Sequence, residues 1–156
     1  ENFLTFNVNK VFRNFGYVSD KVTNWVELAK TGWSVELDPS LWSNGNILID
    51  GKGGSSGSDI YKSGDFWFVV DMKSEKTMTG LGIDYYNNGS ASSPKKVTIS
   101  IDNETWVTQG TVDTPQSYNH YFQFFTPQNT RYVKVELAGR YNGYIDLTEV
   151  YIYNAQ

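Results

Sequence analysis

The sequence predicts an all-β fold, an antiparallel β-sandwich, and three observations carry that prediction. From Phe66 onward the chain is a series of short apolar or alternating runs separated by turn residues, with no long amphipathic helix among them. Aromatic residues make up 16% of the chain, with 11 Tyr, 9 Phe and 5 Trp, and such residues favour pleated surfaces. Hydrophobic residues at 39% and charged ones at 19% suit a folded core and argue against disorder. At 156 residues there is room for one full domain, not for two ordinary enzyme domains.

The elements follow in order. Residues 1–31 read as an N-terminal extension or linker with a possible edge strand: 3–8 and 11–17 are extended patterns. In 21–30, Val22, Trp25, Val26 and Ala29 fit a helical turn and a strand equally well. A boundary at Thr31-Gly32 then opens a sandwich domain over 32–156. Residues 51–64, rich in Gly and Ser, read as a folded loop rather than a linker. The run 66–72 is apolar on both faces, as a buried strand is. Runs at 78–85 and 95–102 follow, the second alternating Val97, Ile99 and Ile101 with Thr98 and Ser100. A tight Asp102-Asn103-Glu104 turn leads to 105–111, a hairpin pattern. Then come an aromatic run at 120–126, a run at 131–138 with Val133, Val135 and Leu137 on one face, and a closing run at 145–153.

Composition narrows the function classes. A net charge of -4 argues against a reader of duplex nucleic acid, which needs a basic surplus to meet phosphates. With no Cys and a single His120, thiol catalysis, cysteine zinc sites and His-rich metal sites drop out. No Gly-x-Ser-x-Gly elbow accompanies that histidine, which leaves a Ser-His-Asp triad without its usual setting. The longest apolar run, 66–70, is far short of the roughly 18 residues of a membrane helix, so no membrane insertion is expected.

A series of phrases in one order resembles a known family. Trp33-Ser34-Val35 comes first, then Leu48-Ile49-Asp50-Gly51, Phe68-Val69-Val70-Asp71-Met72 and Leu81-Gly82-Ile83. Pro94-Lys95-Lys96-Val97-Thr98-Ile99-Ser100 leads into Asp102-Asn103-Glu104-Thr105-Trp106, and Thr130-Arg131-Tyr132-Val133 and Leu147-Thr148-Glu149-Val150-Tyr151 finish it. Together these resemble the discoidin, or coagulation-factor type C, domain, whose bacterial members include the family 32 carbohydrate-binding modules. The resemblance implies a discoidin-like jelly roll that binds ligands with loops at one end. It also implies a monomeric module of a larger secreted, cell-surface or periplasmic protein, whose parent can be a glycoside hydrolase. Trp106 is expected in the core, Arg131 in a structural ion pair or a loop contact, and Tyr132 and Tyr153 in packing. The arginine with which many sugar-binding members grip galactose is absent from Tyr85-Tyr86-Asn87-Asn88-Gly89-Ser90.

Three site readings follow. Calcium takes six to eight oxygen ligands at about 2.3–2.6 Å. Asp50, the glycines after it and the hydroxyl of Ser58 offer such oxygens, and the resemblance brings Glu149 back to that loop. A structural calcium on Asp50, Ser58 and Glu149 is one expectation; a turn cap at Asp50 and a hydrogen-bonded strand charge at Glu149 is the other. No catalysis is expected, although Asp84, Glu104, Asp113, Asp146 and Glu149 supply carboxyl groups. Finally, a pyranose presents an apolar C–H face and a rim of hydroxyls, so a binder needs an aromatic platform beside hydrogen-bonding groups. Arg140, Tyr141, Asn142 and Tyr144 supply both, with Tyr85, Tyr86, Asn87 and Asn88 completing the pocket and Tyr118, Asn119 and His120 as a further set. The expected partner is a glycan held with a dissociation constant on the order of 0.1–1 mM. The competing reading has Tyr141 and Tyr144 merely covering the sandwich edge, in an adhesion or spacer domain.

Overall fold

The computed structural model describes residues 3–4, 25–53, 59–86, 94–111, 120–137 and 144–155. Among these residues the strands are β1 (Phe3–Leu4), β2 (Trp25–Glu27), β3 (Ser34–Leu37), β4 (Ile60–Ser63), β5 (Phe66–Tyr85), β6 (Pro94–Ser100), β7 (Val107–Thr111), β8 (His120–Leu137) and β9 (Tyr144–Ala155). A short 3-10 helix, Gly45–Ile49, lies between β3 and β4, with the Asn44 side chain accepting the Asn46 N–H at its start. Among the described residues every strand pairing is antiparallel.

Two long strands build the sandwich. The separate runs expected at 66–72 and 78–85 are one strand, β5, and those at 120–126 and 131–138 are one strand, β8. Register shifts between Asp71/Lys76 and Met78/Gly80 absorb a corner, so β5 and β8 stay paired on both sides of it. Lys73, with φ of 67°, makes the turn without ending the strand. The turn signal in the sequence is therefore real, but it marks a bend and not a break. On one side of the corner the order is β3-β5-β8-β6-β7; on the other it is β1-β2-β9-β5-β8, with β4 on the early residues of β9.

Alternation sets the core. Phe68, Val70, Leu81, Ile83, Val133, Val135, Ile145, Leu147, Val150 and Ile152 are at most 1% exposed and belong to a single apolar cluster. Each such side chain contributes about 1.5–3 kcal/mol by leaving water, which makes this cluster the principal force holding the layers together. On β9 the inward set changes from odd to even numbers after Leu147, because a register irregularity opposite Asp84/Tyr85 inserts one residue. The undecided stretch at 21–30 resolves at Trp25–Glu27, a strand paired with the end of β9. Most of residues 3–8 and all of 11–17 lie outside the described residues.

Two packing expectations have different outcomes. Arg131 forms the expected ion pair, with Asp71. Trp106 does not enter the core: it is half-buried on the outer side, where the Lys134 ammonium lies 6.0 Å from its ring centre and 4.8 Å from that of Trp67. It precedes β7 on the tail of the Asp102 turn, so no inward alternation reaches it.

Candidate functional site

Two regions gather the residues that the sequence singles out. The first is the end of the sandwich remote from the corner. There the ends of β5, β8 and β9 meet on one sheet, through Asp84 opposite His120 and Tyr85 opposite Leu147. On the other sheet Phe66 and Pro94 lie opposite Leu137, and Thr111 opposite Lys96. The segments 87–93, 112–119 and 138–143 join these ends in sequence and lie outside the described residues. Arg140, Tyr141, Asn142, Asn87, Asn88, Tyr118 and Asn119 are therefore outside them as well, and so is Ser58.

Of the expected sugar contacts, two tyrosines separate. Tyr86 is 41% exposed at the end of β5, its N–H donating to the carbonyl of Asp146 at 2.9 Å. Tyr85 is 1% exposed and belongs to the core, because it continues the inward series Leu81, Ile83. This corrects its expected place among the contacts: its ring packs inside and offers no platform. Tyr144 opens β9 opposite Ser63, and His120 opens β8.

Asp146, next to this end, was visible in the sequence only as one carboxylate among several. It is 7% exposed, and its Oδ1 has no hydrogen-bond partner among the described residues. Burial, and then the neighbouring Asp59 carboxylate, push it up to about 7. Its place between inward Ile145 and Leu147 sets the face; nothing in the sequence signals the burial.

The second region is a separate corner, away from the β5–β8 bend, made by β9, the turn after the 3-10 helix and the residues after β2. Glu149 points away from the apolar core yet is fully buried, because this turn covers it. Its Oε2 accepts the N–H groups of Gly51 and Lys52, both at 3.0 Å, and its Oε1 accepts the Lys30 ammonium. Asp50 does meet Glu149 here, but through a shared donor: the Lys52 N–H also reaches Asp50 Oδ1 at 2.9 Å. Gly51, with φ of 81°, gives the turn that aims both N–H groups at one oxygen. Burial pushes Glu149 up to about 7 against the pull of Lys30, with Asp50 adding to the rise. Beside it the Tyr151 hydroxyl donates to Asp84 Oδ2 at 2.8 Å, and burial followed by Asp84 raises the Tyr151 pKa.

These donors do not suit a calcium cage. Glu149 faces two peptide N–H groups and an ammonium, where a divalent ion needs oxygens turned inward. Ser58, the third expected ligand, lies outside the described residues. Lys30 is the residue that reading the sequence missed. Its partner is 119 positions away, and no local pattern announces such a pair.

Comparison with known proteins agrees with this architecture. The profile of the F5/8 type C domain matches residues 29–150. No curated protein sequence matches the chain. Among solved structures, a protein fragment from Bacteroides thetaiotaomicron superimposes with a TM-score of 0.70 at 21% identity, covering 90% of this chain and 98% of its own. A module named CpGH89CBM32-5, from Clostridium perfringens and in complex with GalNAc-β-1,3-galactose, gives 0.69 at 10% identity over 83% and 100%. The CBM32 of AlyQ, in complex with 4,5-unsaturated mannuronic acid, gives 0.65 at 20% identity over 83% and 99%.

Proposed function

The chain belongs to the F5/8 type C, or discoidin, domain family, and on that premise we propose that it is a non-catalytic carbohydrate-binding module. It holds glycan at the loop end of its sandwich and serves as one part of a larger secreted or cell-surface protein. The observation that carries this reading is the gathering of strand ends at Tyr85, Pro94, Thr111, His120, Leu137 and Tyr144. The three segments between them hold Arg140, Tyr141, Asn142, Asn87 and Asn88, the guanidinium, phenol and amide groups that a pyranose rim and face require.

Tyr86 supplies an exposed ring at the same end. A ring there stacks on the apolar C–H face of a sugar, while Arg140 donates to vicinal hydroxyls and Asn142 both donates and accepts. Sugars in complex with similar folds, GalNAc-β-1,3-galactose and an unsaturated mannuronic acid, suggest both neutral and acidic glycans as probes. Three of the described carboxylates are engaged by donors: Glu149 by N–H groups, Asp84 by Tyr151, and Asp71 by Arg131.

The test is a glycan array, followed by NMR titration with galactosyl, N-acetylglucosaminyl, mannosyl and uronic acid oligosaccharides. Amide shifts at 85–88 and 140–144, saturating in the range of about 0.1–1 mM, are the expected result. Shifts confined to other faces, or no response to any glycan, would sink the reading.

A further inference from the structure

We propose that the Lys30 ammonium is the resident cation of the Glu149 corner, so that the fold closes there without a divalent metal. The corner joins three remote stretches of chain: the residues after β2, the turn after the 3-10 helix, and the middle of β9. One carboxylate organises all three. Glu149 has no contact with solvent, and both of its oxygens are occupied by N–H donors from the other two stretches.

The seat is built around an ammonium. The Lys30 side chain is 10% exposed, pairs with Glu149, and keeps its Nζ 3.6 Å from Glu27 Oε1. The same Nζ lies 4.2 Å from the centre of the Tyr151 ring. Two carboxylates and an aromatic face therefore surround one positive charge, a combination that stabilises a desolvated lysine. A divalent ion on Glu149 would have to displace this ammonium or sit against its charge. Two peptide N–H groups would meanwhile still point their hydrogens at Oε2.

Access is not what keeps a metal out. An open groove of about 480 Å³, bordered by Glu27, Lys30, Ile49, Asp50 and Gly51, reaches this corner from solvent. The nearest carboxylate on the turn, Asp50, already accepts the Lys52 N–H. What decides the occupant is the type of donor, and the donors present are matched to an anionic oxygen that is neutralised internally. Closure by Lys30 also leaves glycan binding independent of calcium, although Glu149 pairs with Asp84 close to the loop end.

The experiment uses the full chain. Its metal content after purification is measured by mass spectrometry, and thermal melts are compared in excess chelator and in excess calcium. Superimposable melts and far less than one equivalent of bound calcium are expected. Lys30→Met should melt about 10 °C lower, because it strands a buried carboxylate. Lys30→Met/Glu149→Gln should lose less than the sum of its two single variants. Stoichiometric calcium, a wild-type melt raised by calcium, an unchanged melt for Lys30→Met, or strictly additive losses would each overturn the proposal. If Lys30→Met does not fold, the wild-type melts and the metal content decide.

Discussion

Arg131 grips Asp71 with two parallel bonds, Nε to Oδ1 at 2.9 Å and Nη2 to Oδ2 at 3.1 Å, where β5 and β8 turn from one sheet into the other. The same carboxylate accepts the Lys73 N–H at 2.7 Å and the Lys73 ammonium at 3.1 Å, so it also fixes the left-handed residue of the bend. Burial alone would raise Asp71, but the Arg131 and Lys73 bonds outweigh it and hold it down to about 2. Its folded pKa lies below the unfolded value, so its contribution is complete above about pH 4 and is lost as pH falls through about 2. Asp71→Asn should cost about 1–2 kcal/mol at neutral pH, a figure discounted for the partly exposed arginine. Urea midpoints from pH 2 to 7 should show a shallower acid limb in the variant. An identical limb would show that the clamp adds nothing.

Much of the sandwich is legible in the sequence, and the reason is period-two alternation. Val133, Val135 and Leu137 face inward as read, and Ser100 and Asp102 organise the β6–β7 turn through short hydrogen bonds between neighbours. The corner was harder, because a bend and a strand end use the same turn residues; only cross-strand pairing tells them apart. Tyr85 illustrates a readable residue that was misplaced: its alternation with Ile83 outweighs its nearness to Tyr86. Lys30 and Glu149 illustrate the opposite. Their pairing depends on how three distant segments meet, and no spacing in the sequence encodes it.

Asp146 should make the protein more stable in mild acid than in mild base. Its folded value of about 7 lies above the unfolded 3.8, so between these pH values the native state binds more protons than the unfolded chain. The destabilising cost of its charge is therefore full above about pH 7 and fades as pH falls toward 4. Glu149, also raised to about 7, acts in the same direction. Urea midpoints should rise from pH 8 to pH 5, and Asp146→Asn should flatten that slope. A wild-type midpoint higher at pH 8, or an unaltered slope in the variant, contradicts the assignment.

Gly45 is required by contact rather than by backbone angle. A Cβ at this position would stand 2.3 Å from the Val35 carbonyl oxygen and 2.9 Å from its carbon, so the 3-10 helix and β3 would have to separate. That helix carries the fully buried Leu48 and leads directly into the turn over Glu149. Gly45→Ala should destabilise by about 1–3 kcal/mol, the usual range for overpacking. Chemical denaturation measures it, and a neutral result would mean that the two segments slide apart without loss.

Two adjacent tyrosines separate folding from recognition at the loop end. Tyr85 is 1% exposed within the apolar cluster, and Tyr85→Ala removes most of a large ring from a packed space. A loss of about 3–5 kcal/mol in stability is expected, as for other buried aromatic truncations. Tyr86 is 41% exposed, and its structural bond to Asp146 comes from the backbone N–H, which alanine retains. Tyr86→Ala should therefore leave stability within about 0.5 kcal/mol of wild type. If its ring is a sugar platform, the same change should weaken glycan binding roughly tenfold, the equivalent of about 1.4 kcal/mol of stacking. Denaturation of both variants and a glycan titration of Tyr86→Ala make the comparison. Unchanged glycan affinity in a well-folded Tyr86→Ala would remove this ring from the site and leave recognition to the segments around Asn87 and Tyr141.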